Sequence, residues 1–168
     1  MDADPGAASL MIQLVILFVF ILVNAFFSGA EMAIVSVNKN RIHKLKEDGD
    51  KKAALIEKVA ADSTRFLSTI QLAATFVSFA ASAFAANSVS IELTAKLNSA
   101  GLPYSRGIAN LLVTLILVYI SLVFGELVPK KIALQYAEGF CFFCIKPVYL
   151  LSRIFAPFAA LLLSLIHI

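Results

Sequence analysis

Gly125-Glu126-Leu127-Val128-Pro129-Lys130-Lys131 closes an apolar run that extends from Ile108 to Phe124. The run is long enough to enter a bilayer, and it ends in a carboxylate, a helix-breaking proline and two cations. An acidic side chain in such a segment costs roughly 3 kcal/mol on insertion scales and marks a functional site by default. Glu126 also lies four residues before Lys130, a spacing that permits an interfacial Glu–Lys pair worth roughly 0.2–0.5 kcal/mol. Both readings are open on this stretch alone.

The rest of the composition points to a membrane. Hydrophobic residues make up 60% of the 168 residues and charged ones 15%, against about 25% charged in a typical soluble domain. A single all-α integral membrane domain is therefore predicted. The net charge of +3 is small, and the basic residues flank apolar segments. They therefore read as topology signals, not as a nucleic-acid surface. Cys141 and Cys144 lie in an aromatic, apolar run. A redox or zinc site needs an electropositive setting or further ligands, so these read as buried thiols acting as small apolar residues.

Outward from Glu126, three spans are predicted, at about 10–37, 66–86 and 108–127. Leu10 to Phe27 holds only Gln13 and Asn24 as polar residues. Asp2 and Asp4 precede it where a signal peptide carries cations, so it reads as a retained span. Residues 39–65 carry eight Lys or Arg (Lys39 to Arg65) interleaved with acids. They predict a solvated helical loop with a turn at Asp48-Gly49-Asp50, on the cytoplasmic side by the positive-inside rule. That orientation leaves the N-terminus outside. The second span is rich in Ala, Ser and Thr, which lets helix backbones approach closely, either to the other spans or to a second subunit. Asn87 to Arg106 reads as an external loop with turn signals at Asn98, Gly101 and Pro103. Residues 132–168 are apolar but interrupted by Glu138, Lys146, Pro147, Arg153 and Pro157. Composition fits either a fourth, kinked span or an amphipathic belt along the cytoplasmic face; the belt is the expectation. The apolar end, Leu161 to Ile168, suggests that the protein continues beyond it.

Polar residues of the second span recur as Thr64, Ser68, Gln71, Thr75, Ser78 and Ser82, in steps of four and three. This is one helical face. It suits either a path for a hard cation or helix–helix glue. Ser28 lies eleven residues before Lys39 and Thr75 ten after Arg65. At 1.5 Å per residue both sit ~15 Å inside the boundary, near the midplane. Pro129 can unwind the turn holding Gly125 and Glu126, letting Glu126 reach inward and exposing carbonyls, as in the broken helices of transporters. The Glu126 carboxylate with the Ser28 and Thr75 hydroxyls forms an all-oxygen set suited to Mg²⁺ or Na⁺. Gly125 permits close backbone approach. Ser68, Gln71 and Ser78 would line the pathway, and Glu31, one turn below Ser28, would either line its cytoplasmic entrance or cap and pair with cytoplasmic cations.

Phe26-Phe27-Ser28-Gly29-Ala30-Glu31-Met32-Ala33 and Gly125-Glu126-Leu127-Val128-Pro129-Lys130 resemble the transmembrane domain of the CorC/CNNM (cyclin M-like) magnesium transporters. Arg65 to Gln71 is similar to the bacterial, hemolysin-like branch. The resemblance implies three spans with an outside N-terminus, a cytoplasmic juxtamembrane belt and a homodimer in the bacterial inner membrane. It also implies cytoplasmic CBS domains that bind ATP further along, outside this chain. The implied activity is Mg²⁺ export coupled to Na⁺, with the cation site carried over to Ser28 and Glu126. An asparagine on the second span of well-studied members is replaced here by Thr75, within Ala73-Ala74-Thr75-Phe76-Val77-Ser78. The alternative function is a membrane-anchored ion sensor or scaffold that binds without transport. No Ser/His/Asp set is present, and an enzyme is not expected.

Overall fold

A computed structural model describes residues 5–101 and 105–166. Pro103, Asp2 and Asp4 therefore lie outside the described residues. Among those described the chain is helical throughout, with no strand. Helix α1 spans Pro5–Ser36, α2 Lys39–Glu47, α3 Lys51–Ala61, α4 Ser63–Asn87, α5 Val89–Ser99 and α6 Ser105–Leu122; a π-helical turn at Val123–Leu127 leads into α7, Val128–Gln135, and then α8, Ala137–Ile166. Among the described residues, three stretches are long and apolar enough to cross a membrane: Leu10–Ser36, Ser63–Ser99 and Arg106–Gln135.

Helix α1 is the hub, packing against α4, the π turn, α7 and α8. Its two halves do different jobs. Toward the N-terminus, Met11, Leu14, Val15, Phe18 and Val19 are exposed, an apolar surface that suits lipid and not water. Toward the C-terminus, Phe27, Ala30, Ala33, Ile34 and Val37 are buried in the core, with Ile42 of α2, Ile56 of α3, Phe66 and Ile70 of α4 and Ile145 of α8. Ala30 and Ala33 are fully buried, since only a small side chain lets neighbouring backbones come this close. Gly29 serves the same end: a Cβ there would stand 2.5 Å from Cζ of Phe140 on α8. Ala73 and Ala81 of α4 are also buried within the chain, so part of its Ala-rich face is already covered by the protein's own helices.

The cation-rich segment folds as a capped hairpin. The Asn38 carboxamide oxygen accepts from the N–H groups of Asn40 and Arg41, and the Asp50 carboxylate from those of Lys52 and Ala53. These caps satisfy donors at each helix start. Gly49 turns the chain at φ +93°, in the left-handed region that glycine enters without steric cost. Glu57 of α3 binds both Lys46 and His43 of α2, and the two hydrogen bonds hold its carboxyl below the usual glutamate range. Helix α8 is fastened to this hairpin by Arg41–Glu138, 3.0 Å, and by Lys52 Nζ donating to the Phe142 carbonyl, 3.0 Å. Its N-terminal part therefore lies on the same side as residues 39–65. Cys141 and Cys144 are free and fully buried there. Burial pushes both thiols up to about 12, which leaves them protonated and inert.

Two expectations are corrected. The stretch from Asn87 to Arg106 is not a plain loop, because it contains α5, which begins after a break at Ser88 (φ −121°, ψ −81°). Glu92 in its first turn and Lys96 in its last complement the helix dipole, and the Ser90 hydroxyl meets the Asn110 side chain of α6. The chain then turns at Gly101, φ +75°. Near Pro129 the helix does not unwind but widens, with the Val128 N–H bonding back to the Val123 carbonyl five residues earlier.

Candidate functional site

Four elements build a polar hollow between the helices. Helix α1 contributes Asn24, Ser28 and Glu31, spaced four and three and so on one face. Helix α4 contributes Gln71, Thr75 and Ser78, with Ala74 and Phe79 beside them. Glu126 of the π turn and Lys130 of α7 close it, giving a cavity of about 280 Å³. A second hollow of about 230 Å³ adjoins it, sharing Asn24, Ser78 and Glu126 and adding Ser82 and Ser121.

The π turn explains how a carboxylate comes to face this space. A π turn inserts one residue into the helix and rotates the facing of the residues after it. Pro129 has no N–H to offer the carbonyl four residues before it, that of Gly125. Asn24 supplies a donor instead, its Nδ2 lying 3.4 Å from the Gly125 oxygen. Gly125 is buried, and a Cβ there would stand 3.0 Å from Asn24 Nδ2 and 3.4 Å from Ser121 Oγ. A side chain there would push the Asn24 amide aside by a few tenths of an ångström, so glycine suits the close approach of the π turn to α1.

Lys130 sets the electrostatics. Its Nζ is 2.8 Å from Glu126 Oε1 and 3.4 Å from Glu31 Oε2. The Glu–Lys pair that four-residue spacing permits is thus formed, and Glu31 joins it. Two carboxylates against one ammonium leave one negative charge among neutral oxygens. Among the described residues no three His, Cys, Asp or Glu side chains gather into a metal-binding group. A cation here would therefore rely on hydroxyl, amide and water oxygens beside the carboxylates, the donor set of a hard ion.

Of the residues singled out in the sequence, Ser28, Glu31, Gln71, Thr75, Ser78 and Glu126 meet at this cavity. Ser28 is buried, 5% exposed, whereas Thr75 and Gln71 are exposed on the open side. Gly125 stands behind the cavity, acting through Asn24. Ser68 lines neither hollow. Sequence reasoning did not place Asn24 or Lys130 among the site residues. The signal for Asn24 was present: Asn24, Ser28 and Glu31 repeat at four and three, as the α4 stripe does.

Three membrane-length helices among the described residues, around a polar, net-negative cavity, define a multi-pass membrane domain with a candidate ion site between its helices. Residues 15–167 match the family described as Cyclin M transmembrane N-terminal domain, and the chain belongs to this CNNM family. The UPF0053 protein sll0260 of Synechocystis sp. is 34% identical over 158 residues, covering 93% of this chain and 35% of its own length. A UPF0053 protein of Haemophilus influenzae is 32% identical over 157 residues, 94% of this chain and 34% of that protein. The UPF0053 protein YugS of Bacillus subtilis is 28% identical over 151 residues, covering 89% and 35%. The chain spans about a third of the length of these relatives.

Proposed function

We propose that this domain binds and moves Mg²⁺, exporting it in exchange for Na⁺ by alternating access. The observation that carries the reading is the oxygen-rich cavity with its net negative charge, set between helices long enough to span a membrane. Mg²⁺ dehydrates reluctantly and keeps several waters, and a cavity of about 280 Å³ has room for them. Glu126 supplies the charge, with Ser28 and Thr75 as neutral oxygens. Glu31, Gln71 and Ser78 line the approach. Lys130 holds the carboxylates together until the ion displaces it. The cationic segment 39–65 faces the cytoplasm, the N-terminus faces out, and the α8 region forms a belt in a bacterial inner membrane. The protein works as a homodimer, with ATP-binding CBS domains in the full-length chain.

Thr75→Ala is expected to weaken Mg²⁺-dependent thermal protection by about tenfold in ion concentration, as for one lost oxygen contact to a charged group. Ser68→Ala, on the same stripe but outside the cavity, is expected to leave it unchanged. Equal effects at the two positions would mark the stripe as helix glue.

A further inference from the structure

We propose a second site, for the phosphate of an anionic phospholipid headgroup, where α3 passes into α4 against α8. A cavity of about 230 Å³ there is lined by Lys58, Asp62 and Arg65 from the start of α4 and its approach, and by Tyr149 and Arg153 from α8, over the side chain of Phe66. Lys58 Nζ lies 5.7 Å from the centroid of the Tyr149 ring and 3.5 Å from its hydroxyl. The Arg153 guanidinium lies 5.8 Å from the same centroid. Residues 58 and 153 are far apart in the chain, so the fold, not local sequence, brings these cations to one ring. Both attractions are cation–π contacts, yet they hold like charges together.

The charge is not balanced from within. Three cations face one carboxylate, and Asp62 already accepts the Arg65 backbone N–H at 3.3 Å. Among the described residues, none of the three cations stands within ion-pair distance of a carboxylate, in contrast to Arg41, Lys46 and Lys130. An anion in the cavity would relieve this repulsion. The level of the site selects which anion. Arg65 directly precedes the apolar run of α4, so the cavity lies at the end of a span, where headgroup phosphates sit. The buried Phe66 below it suits the apolar portion of a lipid and offers nothing to a free ion. Basic pockets of this kind beside spans bind lipid headgroups.

The test is binding of short-chain phosphatidylglycerol to the purified chain, read by thermal shift, with phosphatidylcholine and inorganic phosphate as parallel arms. Phosphatidylglycerol alone is expected to protect. Each cation near the surface contributes about fivefold in affinity, so Arg65→Gln/Arg153→Gln is expected to weaken protection about 25-fold. Lys44→Gln/Lys51→Gln, which removes the same charge from the hairpin, is expected to change it less than about twofold. If the double variant does not fold, Lys58→Gln alone is expected to give the fivefold loss. Equal protection by phosphatidylcholine overturns the site, as does an equal loss in the hairpin control, which would show general attraction to the bilayer. Protection by inorganic phosphate alone would assign the cavity to a soluble anion and overturn the lipid assignment.

Discussion

Glu126→Gln is expected to abolish Mg²⁺ flux and to weaken Mg²⁺ binding by about 100-fold or more, while the domain stays folded. The substitution keeps the size of the side chain and one carbonyl oxygen, and removes the charge. A divalent ion leaving water must recover a large desolvation cost, which neutral oxygens rarely supply. With Glu126 neutral, only Glu31 and Lys130 remain charged, and the cavity loses its net negative charge. The Glu126 side chain is 43% exposed, so the loss is set below the cost of breaking a fully buried pair, at about 2.7 kcal/mol or 100-fold in binding. Lys130→Met provides the opposite case. It leaves both carboxylates to the ion and is expected to tighten Mg²⁺ binding. If Glu126 and Lys130 were merely an ion pair at the membrane surface, both variants would show the same small loss of stability and flux would persist in each. Thermal shift and flux in the two variants separate these outcomes.

Asn24→Leu is expected to destabilise the domain by about 1–3 kcal/mol, the cost of a buried acceptor left without its donor. Asn24 is buried, and its amide donates to the Gly125 carbonyl. Pro129 cannot serve that carbonyl, and burial of Gly125 leaves it little access to water. Pro129→Ala restores an N–H at the position from which an α-helix would supply it. In the Pro129→Ala background, Asn24→Leu is therefore expected to cost less than half as much, measured by thermal unfolding of all four proteins. An unchanged cost would mean that Asn24 stabilises the site by packing and not through the Gly125 carbonyl.

The spans were legible because Leu10 to Phe27 and Ile108 to Phe124 are apolar without periodicity, a pattern that only a membrane explains in a chain this short. The Gly49 turn was legible because Asp-Gly-Asp between two charged helices has one local solution. Helix α5 was not read, because the turn residues around it masked the Glu92–Lys96 spacing. At Pro129 the expectation of an unwound turn used the missing donor correctly. Sequence cannot show that Asn24, 101 residues away, satisfies the orphaned carbonyl and lets the helix widen instead. The six-residue stripe predicted one continuous face, and the face exists. Gln71, Thr75, Ser78 and Ser82 of it line the two hollows together with Asn24 of α1, whereas Ser68 lines neither. A period tells which residues share a face; where a second helix crosses that face depends on packing that one helix does not encode.

The most direct test of the proposed function is Mg²⁺ movement in proteoliposomes containing the purified full-length protein, read by a Mg²⁺ indicator with and without an opposing Na⁺ gradient. The expected result is Mg²⁺ flux that the Na⁺ gradient accelerates and that protein-free liposomes lack. Mg²⁺-dependent thermal protection without any flux under either gradient would contradict transport and leave an ion sensor held in the membrane by these three spans.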